Sequence, residues 1–245
     1  MSTILAVDTS TSVNTVALCQ RTPSSPDIAL LAETVVECRR LHSERLLSTV
    51  EWVLQEAGVE LDSIDALAVS IGPGSFTGLR IGVATWKGLA YGLQKPLLGV
   101  PTLDAMTHVM PLESGLLCPL LDARMKEVFG AVYRFEAGHR EKVLPDCACP
   151  IETFLNTSPF STLEGASPPV FLGDGARLYR ERILAVLPAA RFASGPLSLP
   201  RASAVALEAF ARMDAGDSGD PGMVAPVYLR KSQAEILRDE KAGNS

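Results

Sequence analysis

A glycine-rich turn, GPGSFTG at residues 72–78, is the first stretch that could do chemistry. It follows an apolar run typical of a strand and opens a helix, and free N–H groups at a helix N-terminus can hold a phosphate. The specific phosphate motifs do not match. Leu79 and Arg80 follow Gly78 where a Walker loop needs lysine and then serine or threonine, and Thr77 stands where the dinucleotide motif needs its third glycine. The remaining interpretation is that these glycines allow another segment to pack closely against the turn and the helix.

The helix after this turn carries two distinct stripes. Small residues dominate one side at positions i, i+4, i+7 and i+11, namely Gly78, Gly82, Thr85 and Leu89. A neighbouring apolar stripe consists of Leu79, Val83, Trp86 and Ala90. Two interpretations stay open. Both stripes pack inside the domain, or one of them docks a partner helix, which would explain the large Trp86 on a helix of small residues.

One aspartate ends the first strand of each half of the chain. Asp8 closes the apolar run in AVDTS, with Ser10 two residues later, and Asp122 has the corresponding place in LLDAR. A carboxylate there could position a metal ion or a water beside the phosphates of a nucleotide, which makes Asp8, Ser10 and Asp122 nucleotide-binding candidates. The alternative for each aspartate is an Asx-type hydrogen bond that caps the following turn.

Histidines and cysteines form no recognised motif. The three histidines lie far apart, so no pair has the i, i+4 spacing of a helical metal site. Five cysteines include no CxxC pair, and Cys147 and Cys149 in DCACP are interpreted as ordinary thiols. Ser75 does not lie in the GxSxG elbow of a serine hydrolase. The sequence therefore predicts neither a metal site nor a hydrolase nucleophile.

Composition and charge limit the classes of partner. The 245 residues are 47% hydrophobic, which supplies the core of one large α/β domain or of two small ones. With 28 acidic and 22 basic side chains the net charge is −6, and no run of lysine or arginine could follow a phosphate backbone. No signal peptide is evident, and no apolar run approaches the roughly 20 residues of a membrane span. We expect a cytoplasmic protein without membrane contact.

The predicted elements fall into two similar halves. Strands at residues 4–8, 15–19 and 29–36 precede an amphipathic helix at 43–57 with Ser43 as its N-cap, then the strand, glycine turn and helix that end at residue 92. Strands at 116–123, 128–135 and 141–144, helices at 151–156 and 202–213, and a strand, glycine turn and helix in PVFLGDGARLYRERILAVL follow. A last short strand is expected at 223–230. Two βββαβα units predict a duplicated α/β fold with an N-terminal lobe at 1–100 and a C-terminal lobe at 101–245.

Five motifs resemble the bacterial TsaB family, also called YeaZ, which serves tRNA modification. They are AVDTS, LHSERLL, SIGPGSFTGLRIGVATWKGLA, PLLDARMKEVF and PVYLR. The resemblance is dense over residues 4–99, returns at 119–129 and is thin elsewhere. It implies the duplicated actin-like, sugar-kinase-like ATPase fold, an RNase H-like architecture that agrees with the two βββαβα units.

The resemblance also implies a role without catalysis. Members of the family pair with TsaD, the homologous catalytic subunit, and with the ATPase TsaE to place threonylcarbamoyl on the adenosine next to the anticodon of certain tRNAs. TsaD carries a metal-binding HxxxH pair, whereas the comparable segment here, TLDAMTHVM, holds only His108. The implied partners are TsaD, TsaE, a second copy when the chain is alone, and tRNA only through the complex. No cofactor is implied, and weak binding of ATP or ADP at the subunit junction is left open.

In the family, the helix after the glycine turn and the helix that carries HSE build the interface with TsaD. The implied interface residues here are Arg45, Leu46, Val50, Ser75, Phe76, Thr77, Arg80, Val83, Trp86 and Lys87. Trp86 departs from the small residue expected there, so we expect it to be buried in a partner contact or to fill a pocket specific to this sequence. Two other functions stay open: a small-molecule kinase that uses Asp8 and the glycine turns for ATP, and a glycoprotease-type metallopeptidase.

Overall fold

The computed structural model describes residues 1–22, 27–37, 45–110, 112–161 and 167–230. Its first sheet consists of β1 (Ser2–Asp8), β2 (Val13–Arg21), β3 (Ile28–Glu37), β4 (Ala66–Gly72) and β5 (Leu97–Pro101), in the order β3-β2-β1-β4-β5. β1 pairs antiparallel with β2 and parallel with β4, which is parallel to β5. The carboxyl ends of β1, β4 and β5 therefore share one edge, and the glycine turn begins there.

Two helices, α1 (Leu46–Ala57) and α2 (Phe76–Leu93), cover one face of this sheet. Their apolar sides share a core with β1 and β4, whose residues are almost all buried. Burial on both faces explains why these strands appear in the sequence as unbroken apolar runs. α1 corresponds to the helix expected at 43–57, and its predicted N-cap, Ser43, lies outside the described residues.

The second half repeats the arrangement after α3 (Thr102–Met106). Its sheet consists of β6 (Gly115–Arg124), β7 (Glu127–Glu136), β8 (His139–Pro150), β9 (Val170–Leu172) and β10 (Arg191–Phe192), in the order β8-β7-β6-β9-β10. In both sheets the first strand of the half is central, antiparallel to the second and parallel to the fourth. The duplicated α/β fold is confirmed. Each sheet also has a fifth strand, β5 or β10, that the sequence prediction lacks.

Four short helices cover one face of the second sheet: α4 (Ile151–Leu155), α5 (Ser158–Ser161), α6 (Asp174–Leu178) and α7 (Arg180–Val186). The single helix expected after the second glycine turn is interrupted at Tyr179, where φ −103° and ψ 18° leave the α-helical region. Among the residues that the structure describes, no helix has both the length and the apolar character needed to cross a bilayer.

The end of the chain returns to the first lobe. α8 (Ala202–Asp214) covers the face of the first sheet opposite α1 and α2, where Val205, Ala209 and Phe210 pack in a core with β1 and β4. Residues 219–228, here called the C-terminal strap, pack against the first lobe. Leu97 N of β5 donates to Gly219 O at 2.8 Å, and Val227 N donates to Ile71 O of β4 at 2.7 Å. The strand expected at 223–230 is wrong, because these described residues form no ladder. The predicted division into lobes at residues 1–100 and 101–245 stays a prediction. It assigns α8 and the C-terminal strap to the second lobe, although both pack against the first sheet.

Candidate functional site

The glycine turn before α2 packs against the turn that follows β1. Ser75 N donates to Ser10 O at 2.6 Å, and the Thr9 hydroxyl donates to Gly78 O at 2.8 Å. A Cβ on Gly74 would overlap Ser10 O, one on Gly78 would overlap Thr9 O, and one on Gly82 would overlap the Thr9 hydroxyl. The glycines therefore allow close packing of two segments of the same chain. The first helical turn of α2 is capped by Ser75 Oγ, which accepts from Gly78 N at 3.3 Å.

The second glycine turn has the same role in its lobe. A Cβ on Gly173, which has a φ of +103°, would overlap the carbonyl of Leu120 in β6, and one on Gly175 would press on Leu121. Each lobe thus uses a glycine turn to bring a helix against the end of its central strand.

The candidate aspartates brace these strand ends. Asp8 Oδ1 accepts from both Ser10 N and Ser10 Oγ, at 2.8 and 2.7 Å. Asp122 Oδ1 accepts from Arg124 N at 2.9 Å, and Asp122 N donates to Asp174 Oδ1 at 3.0 Å. Burial raises the pKa of Asp174. The Asx-type turn expected as the alternative is therefore present at both aspartates, while nucleotide binding by Asp8, Ser10 and Asp122 stays a prediction.

Four residues expected at a partner interface belong instead to the core of the first lobe. Leu46, Val50 and Val83 are buried between the helices and the sheet, and Trp86 is 0% exposed, with its indole Nε1–H donating to Leu5 O at 3.2 Å. The expectation that Leu46, Val50 and Val83 contact a partner is corrected. Of the two outcomes expected for Trp86, the structure shows the second: its side chain fills a pocket within its own lobe, because the apolar stripe of α2 faces the sheet.

Three other candidates bind the C-terminal strap. The Phe76 ring stacks on Tyr228 with centroids 4.2 Å apart, and the Arg80 guanidinium lies 4.0 Å from the Phe76 centroid while Nε donates to the Tyr228 hydroxyl at 3.1 Å. Lys87 Nζ donates to Val224 O at 3.0 Å. The remaining candidates, Arg45, Ser75 and Thr77, are exposed. The strap therefore lies along one side of α2.

An exposed face that the sequence prediction missed lies on the outer sides of α1 and α2. Both helices cover the same face of the sheet and expose their outer sides, and on α1 the Trp52 side chain lies at the flank beside Thr34 and Val36 of β3. We call the following residues the outer face: Leu47 and Trp52 of α1, 52% and 48% exposed, and Ala84, Gly88, Tyr91 and Gly92 of α2, of which Tyr91 is 60% exposed. A Cβ on Gly88 or Gly92 would meet nothing within 4 Å. The available signal was the i, i+4, i+8 spacing of Ala84, Gly88 and Gly92.

His108, the histidine of the segment compared with the HxxxH pair, is hydrogen-bonded to a carboxylate. Its Nε2 lies 2.7 Å from Glu208 Oε2 in α8. His42 lies outside the described residues, and His139 is exposed at the start of β8. In the part of the chain that the structure describes, no three histidine, cysteine, aspartate or glutamate side chains cluster as metal ligands.

Comparison with known proteins gives consistent results. A family model described as TsaD, tRNA N6-adenosine threonylcarbamoyltransferase, matches residues 36–237. A Bacillus subtilis protein described as tRNA threonylcarbamoyladenosine biosynthesis protein TsaB is 30% identical over 234 residues, which cover 95% of this chain and 96% of that protein. The Escherichia coli protein of the same description is 40% identical over 133 residues, or 54% of each chain. The structure of YeaZ from Pseudomonas aeruginosa superposes with a TM-score of 0.76 at 30% identity and covers 94% of this chain and 100% of its own.

The two matching sheets, each with a glycine turn against its central strand, define a duplicated actin-like α/β protein. Within that class, the sequence identity to the Bacillus subtilis and Pseudomonas aeruginosa proteins and the share of each chain covered identify one family. The chain belongs to the TsaB (YeaZ) family, inside the wider sequence family that the TsaD model describes, and the resemblance seen in its motifs is confirmed.

Proposed function

We propose that this chain is a non-catalytic scaffold subunit in the biosynthesis of threonylcarbamoyladenosine in tRNA, and that it binds and activates a homologous catalytic subunit of the TsaD type. A role in this biosynthesis follows from the family, whose members carry that description. The observation that carries the scaffold role is the outer face of α1 and α2, because two helices on the same face of one sheet expose large apolar side chains on α1 and small residues with Tyr91 on α2.

The outer face suits a helix pair of another subunit. Leu47, Trp52 and Tyr91 supply apolar and aromatic anchors, which dominate binding energy at protein interfaces. Gly88 and Gly92 expose helix backbone without side chains, so a partner helix can approach α2 closely. An α/β homologue with equivalent helices would present a matching surface, and the same face would serve a second copy of this chain when the catalytic subunit is absent.

TsaE and tRNA complete the proposed assembly. We propose that TsaE joins the heterodimer and that tRNA is held mainly by the partners, because a chain with a net charge of −6 offers little electrostatic attraction for a polyanion. In this proposal, weak binding of ATP or ADP at the subunit junction is not required for activity.

Replacing Gly88 with glutamate should weaken the proposed contact strongly without harming the fold. The new side chain would extend into open space on the outer face and place an unpaired charge in the interface, so we expect affinity for TsaD to fall about a hundredfold. Binding would be measured by titration calorimetry, and product by reconstitution with TsaC, TsaD, TsaE, ATP, threonine, bicarbonate and unmodified tRNA. Both signals should fall together.

Gly195→Glu provides the matched control, because Gly195 is exposed in the second lobe and a Cβ there also meets nothing within 4 Å. It should bind TsaD as the wild type does. Wild-type affinity in Gly88→Glu would contradict the proposed face, and full product without this chain would contradict the scaffold function. In that second case, ATP turnover by the chain alone would favour the small-molecule kinase, and a tightly bound metal would favour the metallopeptidase.

A further inference from the structure

Two cysteines form a close thiol pair on β8, the edge strand of the second sheet. Cys147 and Cys149 alternate along the strand, so both side chains point to the same face, and their Sγ atoms lie 3.8 Å apart. Both residues are partly exposed and pack at the border of the core beneath α4. The strand is held in this position by backbone pairing of Cys147 with Gly130 and of Cys149 with Val128 in β7. The two sulfurs are therefore presented together by a regular element.

Strand geometry disfavours a direct bond between these sulfurs. At about 3.3 Å per residue, Cα atoms two positions apart in a strand are roughly 6.6 Å apart, close to the upper limit of about 6.8 Å for a disulfide. An atom held between the sulfurs demands less distortion of the strand than an S–S bond.

We propose that Cys147 and Cys149 form a two-coordinate site for one soft monovalent metal ion, Cu(I). Thiolates are the ligands that Cu(I) prefers, whereas zinc takes four ligands in a tetrahedral site. Among the described residues no third histidine, cysteine, aspartate or glutamate clusters with this pair. Asp146 and Glu127, beside the pair, are each ion-paired, with Lys142 at 2.8 Å and with Arg230 at 3.0 Å, so the charge that holds the ion comes from the two thiolates.

The binding step is an exchange of protons for metal. Each thiol loses its S–H proton to solvent and forms an S–Cu bond, so two protons are released for each ion bound, and copper stays in the +1 state throughout. No oxidant is consumed. Because the protons must be displaced, affinity for Cu(I) should rise with pH.

The site is tested by anaerobic titration of the reduced full chain with Cu(I) in competition with bathocuproine disulfonate. The wild type should bind one equivalent, and Cys147→Ala and Cys149→Ala should each weaken binding about a hundredfold or more, because each removes half of the ligand set. Cys19→Ala and Cys118→Ala, which alter buried thiols in β2 and β6, should bind as the wild type does. Cys38→Ala is included as well, since residue 38 lies outside the described residues.

Far-UV circular dichroism of each variant would establish that the second sheet is folded before its affinity is compared. Unchanged Cu(I) affinity in the double variant of Cys147 and Cys149, or no bound copper in the wild type, would overturn the proposal. Zinc bound more tightly than Cu(I) would overturn the two-coordinate site as well.

Discussion

Replacing Gly78 with alanine should destabilise the protein by about 3 kcal/mol or more. The added Cβ would overlap the carbonyl oxygen of Thr9, which is backbone and cannot rotate away. Relief requires α2 to move off the turn after β1. That movement breaks the bond from the Thr9 hydroxyl to Gly78 O and the bond from Ser75 N to Ser10 O.

Gly88→Ala on the same helix is the matched control. Its Cβ meets nothing within 4 Å, so the substitution should stabilise the helix by up to about 1 kcal/mol through propensity alone. Urea unfolding followed by circular dichroism would measure both free energies of unfolding. Similar stability of the two variants would show that the contact between the glycine turn and Thr9 carries little energy.

The regular elements could be predicted from the sequence because their patterns are local. The 3.6-residue period of α1 and the apolar runs of β1, β4 and β6 follow directly from which faces are buried. The fifth strand of each sheet was missed for the opposite reason. β10 has only two residues, and β5 lies in a stretch with no alternation, so pairing with a neighbouring strand decides both.

The orientation of α2 could not be predicted from its sequence. The helix is apolar or small on nearly every side, so periodicity does not identify the stripe that faces the sheet. The structure buries Trp86 and leaves Gly88 outside. The strap was missed as well, because contacts such as Phe76 with Tyr228 join positions far apart in the chain and leave no local pattern.

The two lobes are joined by a buried carboxylate. Glu208 of α8, on the first lobe, has a side chain that is 7% exposed. Its Oε2 accepts from Arg140 Nη2 of β8, on the second lobe, at 2.9 Å, and lies 2.7 Å from His108 Nε2 in the segment between the lobes. Arg140 Nη1 also donates to the Thr107 hydroxyl at 2.6 Å. The Glu208 carboxylate therefore connects α8, β8 and the segment between the lobes.

Glu208→Ala should cost about 3 kcal/mol of stability, because it leaves the partly buried Arg140 guanidinium without its carboxylate. Glu152→Ala is the control: its ion pair with Arg182 is exposed, and exposed pairs contribute about 0–1 kcal/mol. Chemical denaturation at neutral pH would give both values. Equal effects of the two substitutions would contradict a special role for the junction.

The pH dependence of this contribution has a definite sign. Burial alone would raise the pKa of Glu208, but the hydrogen bond from His108 and the charge of Arg140 outweigh it, so the folded-state pKa lies below the ordinary 4.5. A carboxyl with a lowered folded-state pKa stabilises the protein fully above its unfolded-state value, and this stabilisation is lost as pH falls through the folded-state value. The gap in unfolding free energy between the wild type and Glu208→Gln should therefore be constant at neutral pH and shrink below about pH 4.5. Taking the difference removes the titration of every carboxyl that both proteins share. A gap that widens on acidification would mean that Glu208 is protonated in the native junction and acts as a hydrogen-bond donor, not as the anion that joins the two lobes.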